Sequence, residues 1–171
     1  MALPDEMLVA SVSMPGAHDA ATYKGVMMCL GMGRTQTASL TEQWESGVRA
    51  FDLRPAVRDC TLHIYHSVLK TGVSFQEAIS KICSLLDKHP SEFAVVLLRH
   101  ESESENEREK HLWPSAIGRV IETLGERAVT FHPHITVGEV RGKILFLSRN
   151  AYQGTQKGAL VTGWSHASQG T

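Results

Sequence analysis

The sequence predicts an α/β fold, in which helices flank a sheet of parallel strands. Strand-like and helix-like segments alternate along the chain, and no linker or internal repeat divides them. Two strand-length apolar runs, 93–101 and 142–150, are continuous rather than alternating, which is typical of parallel strands buried on both faces. A strongly amphipathic helix pattern at 74–90 directly precedes the first of these runs.

Composition narrows the class of protein. The 171 residues are 42% hydrophobic, enough for one core, so we expect a single domain over 1–171. The formal net charge is −1 and gives no reason to expect nucleic acid as a partner. No apolar run has the length of a membrane span, and residues 1–8 lack the pattern of a signal peptide. A chain that begins after a removed signal peptide would look the same, so the compartment stays open.

The cysteines predict neither a disulfide framework nor a zinc site. Cys29, Cys60 and Cys83 are odd in number, lie far apart, and have no metal-binding spacing. We therefore expect buried thiols.

The first predicted strand is the apolar run 7–14, which Pro15 and Gly16 end. His18 and Asp19 then follow just past the strand end. The Gly-containing stretch 20–38 has no clear period and predicts a loop.

A short helix and a strand follow. Ser39 and Glu42 have the spacing of a capping box and predict a helix start. The segment 48–55 alternates apolar and polar residues, as a half-buried strand does, and places Asp52 and Arg54 on one face.

The segment 61–67 is strand-like, but its connection to the preceding strand is ambiguous. Residues 56–60 are too few for a helical crossover, so 61–67 either forms a hairpin or belongs to an excursion from the sheet. Next, Ser74 and Glu77 form a second capping box, and the helix 74–90 ends at Pro90.

The later elements repeat the alternation. The strand 93–101 meets its first charge at Arg99, and the charge run 101–109 is interpreted as a solvated loop and helix start. A helix is expected to continue to Leu124, kinked or restarted near Pro114.

The last elements are a capping box and a strand. A third box at 136–139 precedes the strand 142–150, whose first charge is Arg149. The tail 151–171 has no period and predicts either a loop or the beginning of structure that is unfinished here.

Four predicted strands end in charged or titratable residues. The carboxyl ends of parallel strands lie on one face of the fold, so we expect these side chains to converge there. The set comprises His18 with Asp19, Asp52 with Arg54, Arg99, and Arg149.

The chemistry of this set indicates a phosphate site that works without a metal. Arginine forks bind phosphate through planar hydrogen bonds, whereas several converging carboxylates would have suggested a divalent cation. Two histidines, one accepting and one donating a proton, meet the needs of transferring a phosphoryl group to a hydroxyl.

The motifs resemble those of the X region of the bacterial phosphatidylinositol-specific phospholipases C. The matching stretches cover residues 13–150, most of the chain, in the order and at the spacing of the family. The resemblance implies a TIM-like (β/α) barrel, of which this chain supplies the N-terminal part. The matching stretches are "SMPGAHDA", "LTEQWESGVRAFDLRP", "LHIYHS", "FQEAISKICSLLDKHPSEFAVVLLRHE" and "VRGKILFLSRN".

The resemblance also implies catalytic roles. His18 matches the general base that deprotonates the inositol 2-hydroxyl, and His66 matches the general acid that protonates the diacylglycerol oxygen. Asp19 matches the aspartate that assists the acid, and Asp52 the acidic residue beside it. Arg54 stands where eukaryotic relatives have a calcium ligand, which implies calcium independence. The expected products are diacylglycerol and a cyclic inositol phosphate.

Two further arginines match positions near the inositol headgroup. Arg99 stands where bacterial members carry a lysine, and Arg149 where they carry an arginine. Because a planar fork and a point charge bind hydroxyls differently, this exchange bears on headgroup preference.

The resemblance further implies the partners and the compartment. The expected partner is phosphatidylinositol or a related inositol lipid, with transient contact to a membrane surface. We expect a monomer without cofactor or metal, and a secreted or cell-envelope location, as in most bacterial relatives.

The chain departs from the family in two respects. Ser67 replaces the glycine that usually follows the acid. In the family, the aspartate that orients the base comes from a later part of the sequence, which the matching stretches do not include. This second departure leaves open a domain that binds the inositol headgroup without turnover.

Two further alternatives depend on individual positions. A glycerophosphodiester phosphodiesterase-like hydrolase would carry His-Arg and Glu-x-Asp, where this chain has His18-Asp19 and Asp52-x-Arg54. His63 is an alternative acid, although on an extended strand it faces away from His66.

Overall fold

The computed structural model describes residues 3–24, 33–101 and 109–162. Its main feature is a parallel sheet in the order β1-β2-β6-β7-β8. A second, antiparallel sheet contains β3, β4 and β5. The strands are β1 (Gly16–Ala17), β2 (Ala50–Leu53), β3 (Pro55–Arg58), β4 (Thr61–His66), β5 (Leu69–Ser74), β6 (Ala94–Leu98), β7 (Ile144–Ser148) and β8 (Ala159–Leu160).

The described residues also form four α-helices and three 3₁₀ turns. The prediction of an α/β fold is confirmed, and the open parallel sheet is an incomplete barrel over the residues described. No described helix has the length and apolar character that crossing a bilayer requires. The helices are α1 (Leu40–Glu45), α2 (Phe75–Lys88), α3 (Trp113–Thr123) and α4 (Val137–Val140), and the 3₁₀ turns are Val9–Ser11, Lys110–Leu112 and Gly125–Arg127.

Hydrophobic side chains cover both faces of the parallel sheet. On one face, α1, α2 and α3 pack on Phe51, Leu53 and Val96 in the larger cluster. On the other, a smaller cluster around Val137 and Val140 covers the start of the sheet. The residues that follow the carboxyl ends of the strands, such as His18, Arg99 and Arg149, are exposed or half-buried, so a site can form there.

The capping boxes form as predicted. The carboxylates of Glu42, Glu77 and Glu139 accept the amides of their N-cap residues at 2.7, 2.7 and 2.8 Å. These bonds provide acceptors for backbone amides at the helix start, which have no partner within the helix. The amide and hydroxyl of Thr136 lower the pKa of Glu139 to about 2.

The excursion between β2 and α2 resolves the ambiguity of residues 61–67. β3 and β4 pair antiparallel through a two-residue turn at Asp59 and Cys60, both with positive φ. β4 therefore forms a hairpin with β3, and because β3, β4 and β5 make a sheet of their own, the segment is also an excursion from the parallel sheet. α2 then makes the crossover to β6.

One expectation about the elements is wrong. Residues 7–14 form no long strand: a 3₁₀ turn lies there, and the apolar side chains, Met7 and Val12 among them, pack on the smaller cluster. Two other expectations hold in one of their alternatives. The tail 151–171 contains β8 and is therefore structured in part. The helix restarts near Pro114: a 3₁₀ turn ends at Leu112, α3 begins at Trp113, and Pro114 lies in its first turn, where its missing N–H costs nothing.

The expectation of buried thiols fails for Cys60. Cys60 is exposed at the tip of the β3–β4 hairpin, and Cys83 is half-buried on α2. Cys29 lies outside the described residues.

Replacing the N-cap of α2 tests its contribution to stability. The Ser74 hydroxyl accepts the Glu77 amide at 3.2 Å, so Ser74→Ala should lower the free energy of unfolding by about 1 kcal/mol. Ser80→Ala, at an exposed position within the same helix, is the matched control and should cost nothing. Urea unfolding followed by circular dichroism measures both, and equal losses would contradict the capping role.

Candidate active site

Strand register brings the predicted site residues together at the carboxyl edge of the sheet. Ala17 pairs with Phe51, so His18 and Asp19 follow β1 beside Asp52 of β2. The Asp19 amide donates to the Asp52 carboxylate at 3.3 Å. β6 and β7 continue the same edge, because the Arg99 amide donates to the Leu53 carbonyl and the Arg149 amide to the Leu98 carbonyl.

The carboxylate of Asp19 is the buried centre of the site. Its side chain is 0% exposed, and Oδ2 lies 3.5 Å from His18 Nδ1 and 3.7 Å from His66 Nε2. Neither carboxylate oxygen accepts a hydrogen bond from the residues described. A single negative charge therefore lies between two imidazoles.

Arg54 joins both aspartates to His18. Its Nε lies 2.7 Å from Asp19 Oδ1 and donates to Asp52 Oδ2 at 3.2 Å. Its second terminal nitrogen lies 2.6 Å from His18 Nε2. Because a guanidinium only donates, Nε2 accepts this bond, and the ring proton of neutral His18 is assigned to Nδ1, facing Asp19.

Burial dominates the titration of Asp19. It raises the pKa of the carboxyl, and the positive charge of Arg54, followed by that of His18, opposes the rise. Asp52 raises the pKa further, since two carboxylates share this small volume.

A cavity of about 330 Å³ opens in front of these groups. His18, Asp52, Arg54 and Arg149 line it, together with apolar side chains such as Leu97 and Leu147. His18 is 68% exposed and therefore accessible to a ligand. The cavity is large enough for a small polar ring carrying a phosphate.

Three predicted site residues do not line this cavity: the buried Asp19, His66 and Arg99. His66 lies at the end of β4, near the same Asp19 oxygen as His18, and is partly exposed. The hydrogen bond from the Tyr65 amide to the Arg54 carbonyl, at 3.1 Å, holds this strand end at the site. Arg99 lies beside Glu101, where its charge opposes the rise in the carboxyl pKa of Glu101.

Glu101 is a site residue that the sequence interpretation missed. It was assigned to the solvated charge run 101–109, but it is only 6% exposed. One carboxylate oxygen accepts the Ser67 amide at 3.2 Å, and the other lies 4.0 Å from Arg54. Burial raises its pKa, and Arg54 and then Arg99 oppose the rise. Its position two residues after Arg99, hence on the same face of an extended chain, was the available signal.

His63 does not join the cluster. Its Nε2 lies 3.1 Å from the Lys70 ammonium on the neighbouring strand. Burial and then the charge of Lys70 lower its pKa. Its location agrees with the expectation that it faces away from His66.

Three side chains offer ligand atoms to a metal ion. One atom each from His18, Asp19 and Asp52 lies within 4.8 Å of the other two. The Arg54 guanidinium, however, already contacts both carboxylates, so a fixed positive charge stands where a cation would bind. A dication would have to displace this guanidinium or bind beside it.

Fold and site together define one class: part of a parallel α/β barrel with two histidines, a buried carboxylate and an arginine at its carboxyl edge. No family model matches the sequence. The chain is 33% identical over 153 residues to 1-phosphatidylinositol phosphodiesterase of Listeria monocytogenes, covering 87% of this chain and 47% of the relative.

Solved structures agree with this relationship. The phosphatidylinositol-specific phospholipase C of Listeria monocytogenes matches at a TM-score of 0.70 and 31% identity, over 86% of this chain and 54% of that one. A mutant of the Staphylococcus aureus enzyme matches at 0.74 and 20% identity, over 97% and 57%, and this likeness concerns the fold alone.

The chain is therefore homologous to the bacterial phosphatidylinositol-specific phospholipases C, and the resemblance seen in its motifs is confirmed. It spans about half the length of the relatives that it matches.

The raised pKa of Asp19 predicts a pH-dependent effect of Asp19→Asn. A raised folded-state pKa contributes stability that is complete below the ordinary value of 3.8 and is lost as pH rises through the folded value. Because an amide does not titrate, the wild type should lose stability relative to the variant as pH rises above the ordinary value of 3.8. Urea unfolding at a series of pH values measures the difference. A relative gain by the wild type would mean that the Arg54 contact outweighs burial.

Proposed function

We propose that this chain carries the catalytic half of a metal-independent enzyme that cleaves phosphatidylinositol-type lipids. The observation that carries the proposal is the buried Asp19 carboxylate between two histidines, with Arg54 in contact. Homology to phosphatidylinositol phosphodiesterases supports the substrate class.

In the proposed reaction, His18 is the base. The inositol 2-hydroxyl gives its proton to His18 Nε2, whose lone pair becomes available when Arg54 transfers its hydrogen bond from this atom to the phosphate. The hydroxyl oxygen then forms a bond to phosphorus. Arg54 binds the phosphate through its planar fork and stabilises the charge that develops there.

His66 is the proposed acid. The bond between phosphorus and the diacylglycerol oxygen breaks, and His66 donates a proton to that oxygen. Asp19 lies near enough to orient both rings, and Asp52 holds Arg54. The products are diacylglycerol and a cyclic inositol phosphate, and Arg99 and Arg149 are the proposed headgroup contacts.

The setting of this activity is proposed as well. Transient contact with a lipid surface is proposed because the proposed substrate is a membrane lipid. We further propose a monomer that acts in the cell envelope or after secretion and needs no nucleic acid or cofactor.

Removal of either histidine should abolish cleavage. His18→Ala and His66→Ala should each lower kcat/KM by about 100-fold or more, since each removes one proton transfer. His63→Ala, which removes a histidine of the same strand as His66, is the matched control. Phosphorus NMR with phosphatidylinositol in mixed micelles should show a cyclic phosphate.

Three results of this experiment would contradict the proposal. Activity that survives in both histidine variants would contradict the assigned roles. A glycerol phosphate product would indicate the phosphodiesterase alternative. Saturable binding of inositol phosphate by the wild type without turnover would indicate a binding domain.

A chelator should leave activity unchanged, because Arg54 supplies the positive charge. EDTA at millimolar excess, followed by dialysis, tests this with the same assay. Arg54→Lys should lose at least about tenfold in kcat/KM, since an ammonium cannot contact two carboxylates and a phosphate in one plane. Inhibition by EDTA that calcium reverses would overturn metal independence.

A further inference from the structure

The turn after His66 has an unfavourable backbone conformation. Ser67 has a φ of 52°, in the left-handed region that favours glycine, and the turn joins β4 to β5. A residue with a Cβ stays in this conformation only where its surroundings hold it. The conformation of Ser67 sets the direction in which the chain leaves His66.

Glu101 supplies the contact that holds this turn. Its carboxylate accepts the Ser67 amide at 3.2 Å, while its own amide donates to the Pro55 carbonyl at 3.3 Å. The indole of the buried Trp113 donates to the same carbonyl at 2.8 Å. The backbone of Glu101 is thus fixed beside Arg54, and its carboxylate reaches from there to the turn.

We propose that Glu101 is a positioning residue for His66, acting through the main-chain amide of Ser67. The proposal rests on the proposed function, in which His66 is the acid. The carboxylate keeps Ser67 in the left-handed conformation, and this conformation keeps His66 Nε2 at its 3.7 Å distance from Asp19. A displaced acid would still let substrate bind but would transfer its proton slowly.

The other end of β4 carries a similar contact that serves as an internal control. Asp59, with a φ of 52°, begins the turn before β4, and its amide donates to the Glu109 carboxylate at 3.1 Å. Glu109 therefore also accepts an amide from a left-handed residue, but none of the proposed catalytic groups lies in that turn.

The decisive experiment combines Glu101→Ala with Ser67→Gly. Glu101→Ala should lower kcat about tenfold or more and change KM by no more than about twofold. Glycine adopts the left-handed conformation without help, so the double variant should recover most of the lost kcat. Glu101→Gln keeps an acceptor oxygen and should lose less, and Glu109→Gln should leave kcat and KM unchanged.

Ring resonances of His66 in protein labelled with ¹⁵N-histidine provide a readout that needs no turnover. They should shift or broaden in Glu101→Ala, return in the double variant, and stay unchanged in Glu109→Gln. If the wild type shows no turnover but the resonances behave in this way, the proposed function fails and the positioning role stands.

Several outcomes would overturn the positioning role. One is a loss of kcat in Glu101→Ala that Ser67→Gly does not restore, because a direct contact between Glu101 and substrate would not depend on the turn. Unchanged His66 resonances in Glu101→Ala would be another. If Glu101→Ala does not fold, Glu101→Gln replaces it, and its smaller loss must likewise be restored by Ser67→Gly.

Discussion

The contact between Arg54 and the buried carboxylate of Asp19 is the interaction on which the site depends. A carboxylate without exposure to water is unfavourable unless a positive charge compensates it. Arg54 supplies that charge from 2.7 Å, and it is itself held by Asp52. Asp19 and Arg54 meet because β1 and β2 pair in parallel, in a register that places both strand ends at one level. The register of the two strands therefore also determines whether the buried negative charge is compensated.

Sequence patterns predicted the elements whose signal is local. The stripe and capping box of α2 lie within one short segment, and the runs of β6 and β7 are apolar because both faces are buried. The apolar run 7–14 carried the same kind of signal, but its side chains pack on the smaller cluster without pairing as a strand. Hydrophobicity indicates that a segment is buried, but it does not indicate which part of the protein the segment packs against.

The candidate site was likewise predictable from the sequence only where the signal is local. His18, Asp19 and Arg54 follow strand ends, Asp52 is the last residue but one of β2, and parallel pairing alone brings them together. Glu101 was missed because it begins a run of charged residues, and such runs are usually solvated. Of the two residues of that run that the structure describes, Glu101 is buried and Glu109 is half-buried. The contact of Glu101 with Ser67 spans 34 positions, and no local pattern encodes it.

The position of Asp19 explains how one buried carboxylate can serve both steps of the proposed reaction. When His18 accepts a proton and His66 donates one, the total positive charge on the two imidazoles stays the same. Asp19 lies 3.5 Å from the His18 ring and 3.7 Å from the His66 ring, so the positive charge stays at a similar distance from the carboxylate when it passes from His66 to His18. Little reorganisation is then needed around the buried carboxylate. This symmetry requires that His66 stay where the turn at Ser67 holds it, although β4 belongs to a different sheet from His18.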